Sequence, residues 1–462
     1  MAARVKLTIV EGPMKGKEFL FEEHDTFLFG RSSDCHASLP KDKCVSRFHF
    51  LLEANPPELR IRDLGSLNGT YVNEHRCGAR DPGESPEEGR RYCFPQVDLR
   101  SGDRIQVGQT VIHVVLEGSM FEANQGGPEE KEHRESSTFH LVGKAGEASA
   151  APSDGGLEDI LATAPVPDGQ VIVKRSEVPS NVPQDLDIAG YVIEKELDKG
   201  PMGATYLARA DKDAAKVALK IMTPRVAVTD EMRARFIEEI EKPAALEHPN
   251  IAAILAHGEQ DDNFYFVTPY AEKGSVRDLL RRNDGKTSLR RTAGIMLQAL
   301  KGLEHAHKLG IVHRNIKPSN ILLDTDEDGK WSVHVSEFGL ARSFEKAGLS
   351  GMTAIGANSS NYPYMPREQL IRFKKASPGG DVWSMGATFY QMLTGMPPLE
   401  FDEDRDPVDV ILRCEMVPIR ERDASIPNEV ARVIEHALQV NEDDRYPAAH
   451  EFREALKRAL TP

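Results

Sequence analysis

At 462 residues the chain is too long for one hydrophobic core, and an apolar share of 40% is enough to build two or three. Acidic side chains outnumber basic ones, 73 to 58, and no segment holds the basic excess that binding a phosphate backbone needs, so nucleic acid is excluded as an expected partner. The apolar runs are short and broken by charge, and the opening MAARVKLTIVEG has no apolar stretch of signal-peptide length, so neither a membrane span nor export is expected and the protein is assigned to the cytoplasm. Five cysteines without a C-x-x-C pair fit reduced thiols there.

From Val5 to Leu116, short alternating runs (VKLTIVEG, KEFLFEE, FHFLLEA, ELRIRDL, DRIQVG, TVIHVVLE) are separated by turn residues. A period of two with no helical stretch predicts an all-β antiparallel sandwich over residues 1–118. Residues 76–98 read as an irregular loop inserted late in it. Three clusters sit on its loops: FGRSSDC with Gly30 and Arg31, VSRFH with Ser46, Arg47 and His49, and DLGSLNGTYVN with Asp63, Ser66, Asn68, Gly69 and Thr70. With these in that order, the segment resembles a forkhead-associated (FHA) domain, a phosphothreonine-recognition module. The resemblance implies a site for a dianionic phosphate. Arg31 gives charge-assisted hydrogen bonds, Ser46 a hydroxyl donor, Arg47 a second cation or a backbone donor, and Asn68 holds the peptide main chain. His49, Gly69 and Thr70 are expected to brace the loops.

Residues 119–185 carry 12 acidic against 5 basic groups and are rich in Gly, Glu, Ser, Pro and Ala, a composition that cannot bury enough apolar surface to offset chain entropy. A flexible acidic linker is expected, with LEDILATA as at most a transient turn. Thr138, in the apolar island ESSTFHLV, is a candidate phosphorylation site that would occupy the chain's own N-terminal domain or pair two chains.

From residue 186 to 462, strand-like runs (YVIEKELD, ATYLARA, KVALKIM, FYFVTPY) precede long amphipathic helical ones. This order resembles the α+β two-lobed fold of bacterial serine/threonine protein kinases, with a small lobe at about 188–270 and a large lobe at about 271–460. The chain is thus expected to be multidomain. The resemblance implies ATP as cofactor. Gly200 and Gly203 match the loop over its phosphates, Ala218 and Lys220 the strand that faces it, Glu239 the partner of that lysine, and Thr268 and Tyr270 the hinge. Lys317 and Asn320 keep the polar end of the catalytic loop IVHRNIKPSN, and Asp381, Glu368 and Arg445 match structural positions of the large lobe.

Several residues depart from the kinase pattern. Asn315 stands where the catalytic base belongs, and loss of a positioned base costs on the order of 10² to 10⁴ in rate. Glu337 replaces the metal-binding aspartate, which leaves Mg2+ in doubt at Glu337 and Asn320. Asp198 places a negative charge where the phosphate loop has its first glycine. Ser360 and Asn361 stand in place of Gly-Thr on the substrate platform, and Arg367 in place of a proline. Pro243 should end or kink the helix that carries Glu239. On these grounds the expected function is a phosphothreonine-reading scaffold with a pseudokinase half that is not an enzyme. The expected partner is a threonine-phosphorylated protein, either an active serine/threonine kinase or its substrate. Two alternatives stand beside this reading: an active serine/threonine protein kinase with unusual catalytic residues, and a protein adaptor that binds no nucleotide.

Overall fold

The computed structural model describes residues 4–21, 25–56, 58–81, 94–117, 188–200, 203–224, 228–325, 329–340, 343, 347, 361–371, 377–402 and 405–461. The acidic linker expected over 119–185, with LEDILATA and Thr138, lies outside the described residues, as does Ser360.

The N-terminal strands are β1 (Arg4–Glu11), β2 (Glu18–Phe21), β3 (Asp25–Gly30), β4 (Ala37–Ser38), β5 (Phe50–Asn55) and β6 (Glu58–Asp63). They continue as β7 (Thr70–Val72), β8 (His75–Gly78), β9 (Val97–Asp98), β10 (Arg104–Val107) and β11 (Thr110–Glu117). Two sheets, ordered β2-β1-β11-β10-β7-β8 and β4-β3-β5-β6-β9, enclose one apolar core. In β1 the alternation is direct: Val5, Leu7 and Ile9 are buried and the residues between them less so. Strand β8 occupies the start of the stretch expected to be an irregular loop. Asn73 and Glu74, with φ of 49° and 71°, turn β7 back into it as a tight hairpin. HRCG lacks the alternation that would have disclosed it.

The small lobe is a five-stranded sheet in the order β12-β13-β14-β16-β15, made of β12 (Tyr191–Gly200), β13 (Gly203–Ala210), β14 (Lys216–Met222), β15 (Ala256–Gln260) and β16 (Asn263–Pro269). Helix α1 (Asp230–Ala244) lies between β14 and β15 in sequence and buries Phe236 and Ile240 against Phe264 and Phe266. Thr229 caps it, its side chain accepting from the Met232 N–H, and the helix runs one residue past Pro243, whose missing N–H leaves the Glu239 carbonyl without its helical donor. The large lobe begins with α2 (Val276–Arg282), opened by a capping box of Ser275 and Asp278, then α3 (Leu289–Lys308) and the hairpin β17 (Ile321–Thr325) and β18 (Trp331–Val335). It continues with α4 (Arg367–Ile371), α5 (Pro378–Thr394), α6 (Pro407–Arg413), α7 (Ile419–Arg422), α8 (Asn428–Ala437) and α9 (Ala449–Leu460). Trp383, Phe389 and Tyr390 of α5 pack with Leu300 and Leu303 of α3 and Phe452 of α9 in its core. Among the described residues no helix is long and apolar enough to cross a membrane.

The sandwich packs against the large lobe. Leu28, Cys35, Leu51 and Leu64 form one apolar cluster with Ile371 of α4 and with Val408 and Leu412 of α6. This explains why β5 is buried on both faces from Phe50 to Ala54 rather than alternating. Beside the cluster, Arg62 of β6 gives a 2.7 Å ion pair to Asp406, with side chains 2% and 3% exposed. Asp406 also caps α6, its other oxygen accepting from the Val408 N–H at 2.9 Å. Arg367 at the start of α4 bonds Asp34 at 2.9 Å and lies over the ring of Phe48.

Candidate functional site

The three loop clusters of the sandwich meet at one end. The Arg31 N–H donates to the Ser46 carbonyl at 2.8 Å, the Ser46 hydroxyl accepts from the Leu67 N–H at 3.0 Å, and the Asn68 amide donates to the Cys44 carbonyl at 2.7 Å. Gly30 is required: a Cβ there would stand 2.2 Å from the Arg47 carbonyl oxygen. Behind these loops His49 accepts from the Ser46 N–H through Nδ1 and donates through Nε2 to the Gly69 carbonyl. Burial pulls its pKa down against the pull of Asp63, so it braces as a neutral ring. Asp63 accepts from the Ser66 N–H and hydroxyl and from the Thr70 hydroxyl. Arg31, Arg47 and Asn68 are exposed and Ser46 is half-buried. Two guanidinium groups, a hydroxyl and an amide thus face outward from a braced rim, a set that suits a phosphate dianion and an adjoining peptide backbone.

Between the lobes lies a cleft of about 470 Å3 lined by Ala218, Lys220, Thr268, Tyr270, Asn320 and Glu337, with Asp198 at its edge. The register of β14 against β16 sets Ala218 opposite Thr268 and Lys220 opposite Phe266, which fixes two walls. Gly200 and Gly203 pair at the tip of the β12–β13 hairpin. Gly203 has φ 135° and no room for a Cβ, which would come 2.0 Å from the Ile221 carbonyl oxygen, whereas Gly200 meets nothing within 4 Å. The carboxylate that takes Lys220 is that of Glu337, not Glu239. Glu239 is half-buried on α1. Glu337 stands at φ 66°, a left-handed turn for a residue with a side chain. Burial alone would push the Glu337 carboxyl up, but the Lys220 ammonium, with Lys317 and His313, holds it below the usual carboxylate range. The Asn320 amide donates to the Asn315 carbonyl at 2.8 Å and lies 3.4 Å from the other Glu337 oxygen.

The catalytic-loop backbone is held by Asp381, which accepts from the N–H groups of His313 and Arg314 at 2.7 and 2.8 Å and from His307 Nε2 at 2.8 Å. His313 donates through Nε2 to the Ser336 carbonyl at 2.8 Å, tying that loop to the residue before Glu337. Burial lowers the Lys317 pKa against the attraction of Glu337, and its ammonium donates to Asn361 Oδ1 at 2.6 Å. Glu368 and Arg445 pair with a 2.9 Å bond. Three contacts were not foreseen from the sequence: Glu337 on Lys220, Arg277 on Asp198 at 3.0 Å, and Lys317 on Asn361. Charge complementarity was the one available signal, and it does not say which partner meets which.

The protein kinase domain model matches residues 191–456, and the FHA domain model matches residues 27–108. The architecture is therefore an FHA domain joined to a kinase domain. The first of these matches covers more than half of the sequence, and the chain belongs to the protein kinase domain family. It is similar to serine/threonine-protein kinase PknJ of Mycobacterium tuberculosis, 30% identical over 274 residues that cover 59% of this chain and 46% of that protein. It is also similar to serine/threonine-protein kinase PknB of Mycolicibacterium smegmatis, 33% identical over 275 residues, covering 58% and 42%. The chain thus spans about half the length of the curated relatives it matches. Among solved structures, residues 1–466 of Rad53 in complex with AMP-PNP share 19% identity at a TM-score of 0.46, covering 97% of this chain and 98% of that one. The Mycobacterium tuberculosis PknI kinase domain shares 22% at 0.45, covering 60% and 99%.

These matches overturn the expectation that the chain is a pseudokinase and not an enzyme: the kinase family model spans this half, and the relatives are named serine/threonine-protein kinases. The geometry explains why the departures misled. The negative charge of Asp198 is met by Arg277 rather than left to face phosphates. Glu337 stands on a left-handed backbone, and its carboxylate reaches Lys220 and Asn320. Asn361 receives Lys317 on the platform. Arg367 belongs to the contact with the FHA domain.

Proposed function

We propose that this protein is a serine/threonine protein kinase that also reads phosphothreonine. The observation that carries the kinase reading is the convergence of Lys220, Glu337 and Asn320 in one cleft, on a chain whose relatives bear that name. Ala218, Thr268 and Tyr270 would hold the base of ATP in this cleft and Lys220 its phosphates, whose charge the ammonium would offset. Glu337 and Asn320, whose amide lies 3.4 Å from the Glu337 carboxylate, each carry a side-chain oxygen of the kind a hard cation takes; they would hold Mg2+, which would offset phosphate charge. Phosphoryl transfer depends mainly on positioning and electrostatics, so an amide at Asn315 that accepts a hydrogen bond from the acceptor hydroxyl is compatible with turnover. The hydroxyl oxygen bonds the γ-phosphorus, ADP leaves, and the hydroxyl proton passes to water or to a phosphate oxygen. Lys317, held on Asn361, adds positive charge behind the transferred group.

The FHA domain takes a threonine-phosphorylated protein through Arg31, Ser46, Arg47 and Asn68. That protein is an active serine/threonine kinase or a substrate of one, and phosphorylated Thr138 would let two copies of this chain associate. A cytoplasmic setting suits the free thiols of Cys35, Cys44, Cys77 and Cys414. Labelled ATP and a generic protein acceptor test the kinase reading: transfer by the intact chain, abolished by Lys220→Met, supports it, and no transfer from the unmodified chain overturns it. Calorimetric titration with phosphothreonine peptides tests the other half. Binding should vanish in Arg31→Ala, and equal affinity for unphosphorylated peptides refutes it.

A further inference from the structure

The loops that read phosphate are the loops that dock on the large lobe. Arg31 lies three residues before Asp34, which bonds Arg367, and Arg47 immediately precedes Phe48, whose ring lies under the same guanidinium. Arg367 opens α4, and two residues on, the Gln369 amide donates to the Arg314 carbonyl at 2.9 Å, next to Asn315. One short helix therefore touches both the reading loops and the catalytic loop. The docking is firm: it holds the Arg62–Asp406 pair out of water beside an apolar cluster drawn from both domains. The apolar cluster holds the two domains together, and the buried pair fixes how they meet, since removing one partner would leave an uncompensated charge at a cost on the order of 3–5 kcal/mol.

We propose that the preferred substrate class of this kinase is a protein already phosphorylated on a threonine near the acceptor residue, held by the FHA loops while the acceptor enters the cleft. This rests on the kinase reading above. Arg367 and Gln369 are separated by about 3 Å of helix rise. With side-chain reach added, the two sites lie on the order of 20 Å apart, a gap that about six extended residues cross. A docked phosphothreonine raises the local concentration of the acceptor and lowers KM without any new contact at the reacting atoms.

The test uses the intact chain and two matched peptide libraries with one serine acceptor. One library carries phosphothreonine scanned about four to ten residues to either side, the other plain threonine. The expected result is a KM at least about tenfold lower for the phosphorylated set at the best spacing, the scale that tethering supplies. In Arg62→Glu, which sets two carboxylates against each other at the seam, that advantage disappears while the plain library is phosphorylated as before and phosphopeptides still bind. Should that variant fold poorly by circular dichroism, Leu412→Asp, which puts a charge into the apolar cluster of the seam from α6, gives the same comparison. Equal KM for both libraries with phosphopeptide binding intact overturns this inference alone, and an advantage that survives both variants shows that docking is not its source. Absence of transfer to either library overturns the kinase reading, and the substrate class with it.

Discussion

Asn315 sits in a backbone held from several sides: its N–H donates to His313 Nδ1, its carbonyl accepts from Asn320, and Asp381 fixes the two residues before it. A carboxylate placed there inherits that position. Asn315→Asp is therefore expected to raise kcat by about tenfold or more, within the range a positioned base supplies, and to leave KM for ATP unchanged; steady-state kinetics decide it. Glu337→Gln should do the opposite, lowering phosphotransfer by about 10² because it removes the charge opposite Lys220. The same variant carries a pH signature. Since the folded-state pKa of Glu337 is depressed, its contribution to stability is present above the unfolded carboxylate pKa and is lost as pH falls through the lower, folded value. Urea midpoints of wild type and Glu337→Gln should thus differ most at neutral pH and converge on acidification below the usual carboxylate range. At this scale the sequence disclosed residue types but not pairings. Asp198 was legible as a negative charge beside phosphates, while its partner Arg277 lies 79 positions away and Lys317 lies 44 from Asn361. Such distances leave no local pattern.

Helix α1 shows how one element absorbs an awkward residue. Proline at 243 has no N–H to give to the carbonyl of Glu239, and the Ser343 hydroxyl stands 3.1 Å from that carbonyl, its one hydrogen shared between it and the Gly339 carbonyl, also at 3.1 Å. Ser343 is buried, so its loss leaves an acceptor without that donor, at a cost of about 1–3 kcal/mol. Ser343→Ala should lower stability by that amount in urea unfolding, and by much less in a Pro243→Ala background, where a backbone N–H returns to the helix. Additive costs would refute the account. The end of α1 was readable from its proline, and most strands from their period of two. Strand β5 was legible as apolar but not as buried on both faces, because its second face is covered by Val408 and Leu412, more than 350 positions later in the chain. Strand β8 escaped because HRCG follows a hairpin turn of two side-chain-bearing residues rather than the glycine that usually marks one.

Across the molecule, the two families of motif were plain in the sequence, but their docking was not, since Arg62 and Asp406 are separated by 344 positions and neither belongs to a recognisable pattern. Arg62→Ala is expected to leave each domain folded and to loosen the seam by about 3–5 kcal/mol, splitting one calorimetric transition into two. A single transition at unchanged temperature would show that the seam contributes little. The Asp198–Arg277 pair has a different consequence. It joins β12 of the small lobe to α2 of the large one, so every opening of the cleft stretches it, and its side chains are 42% and 31% exposed. A half-solvated pair of this kind is screened by salt. On the proposed kinase activity, ionic strength is expected to act as a timing control: where the departure of ADP limits turnover, added salt should weaken the clasp, shorten the residence of the product and speed the cycle, and Arg277→Gln should abolish that salt dependence.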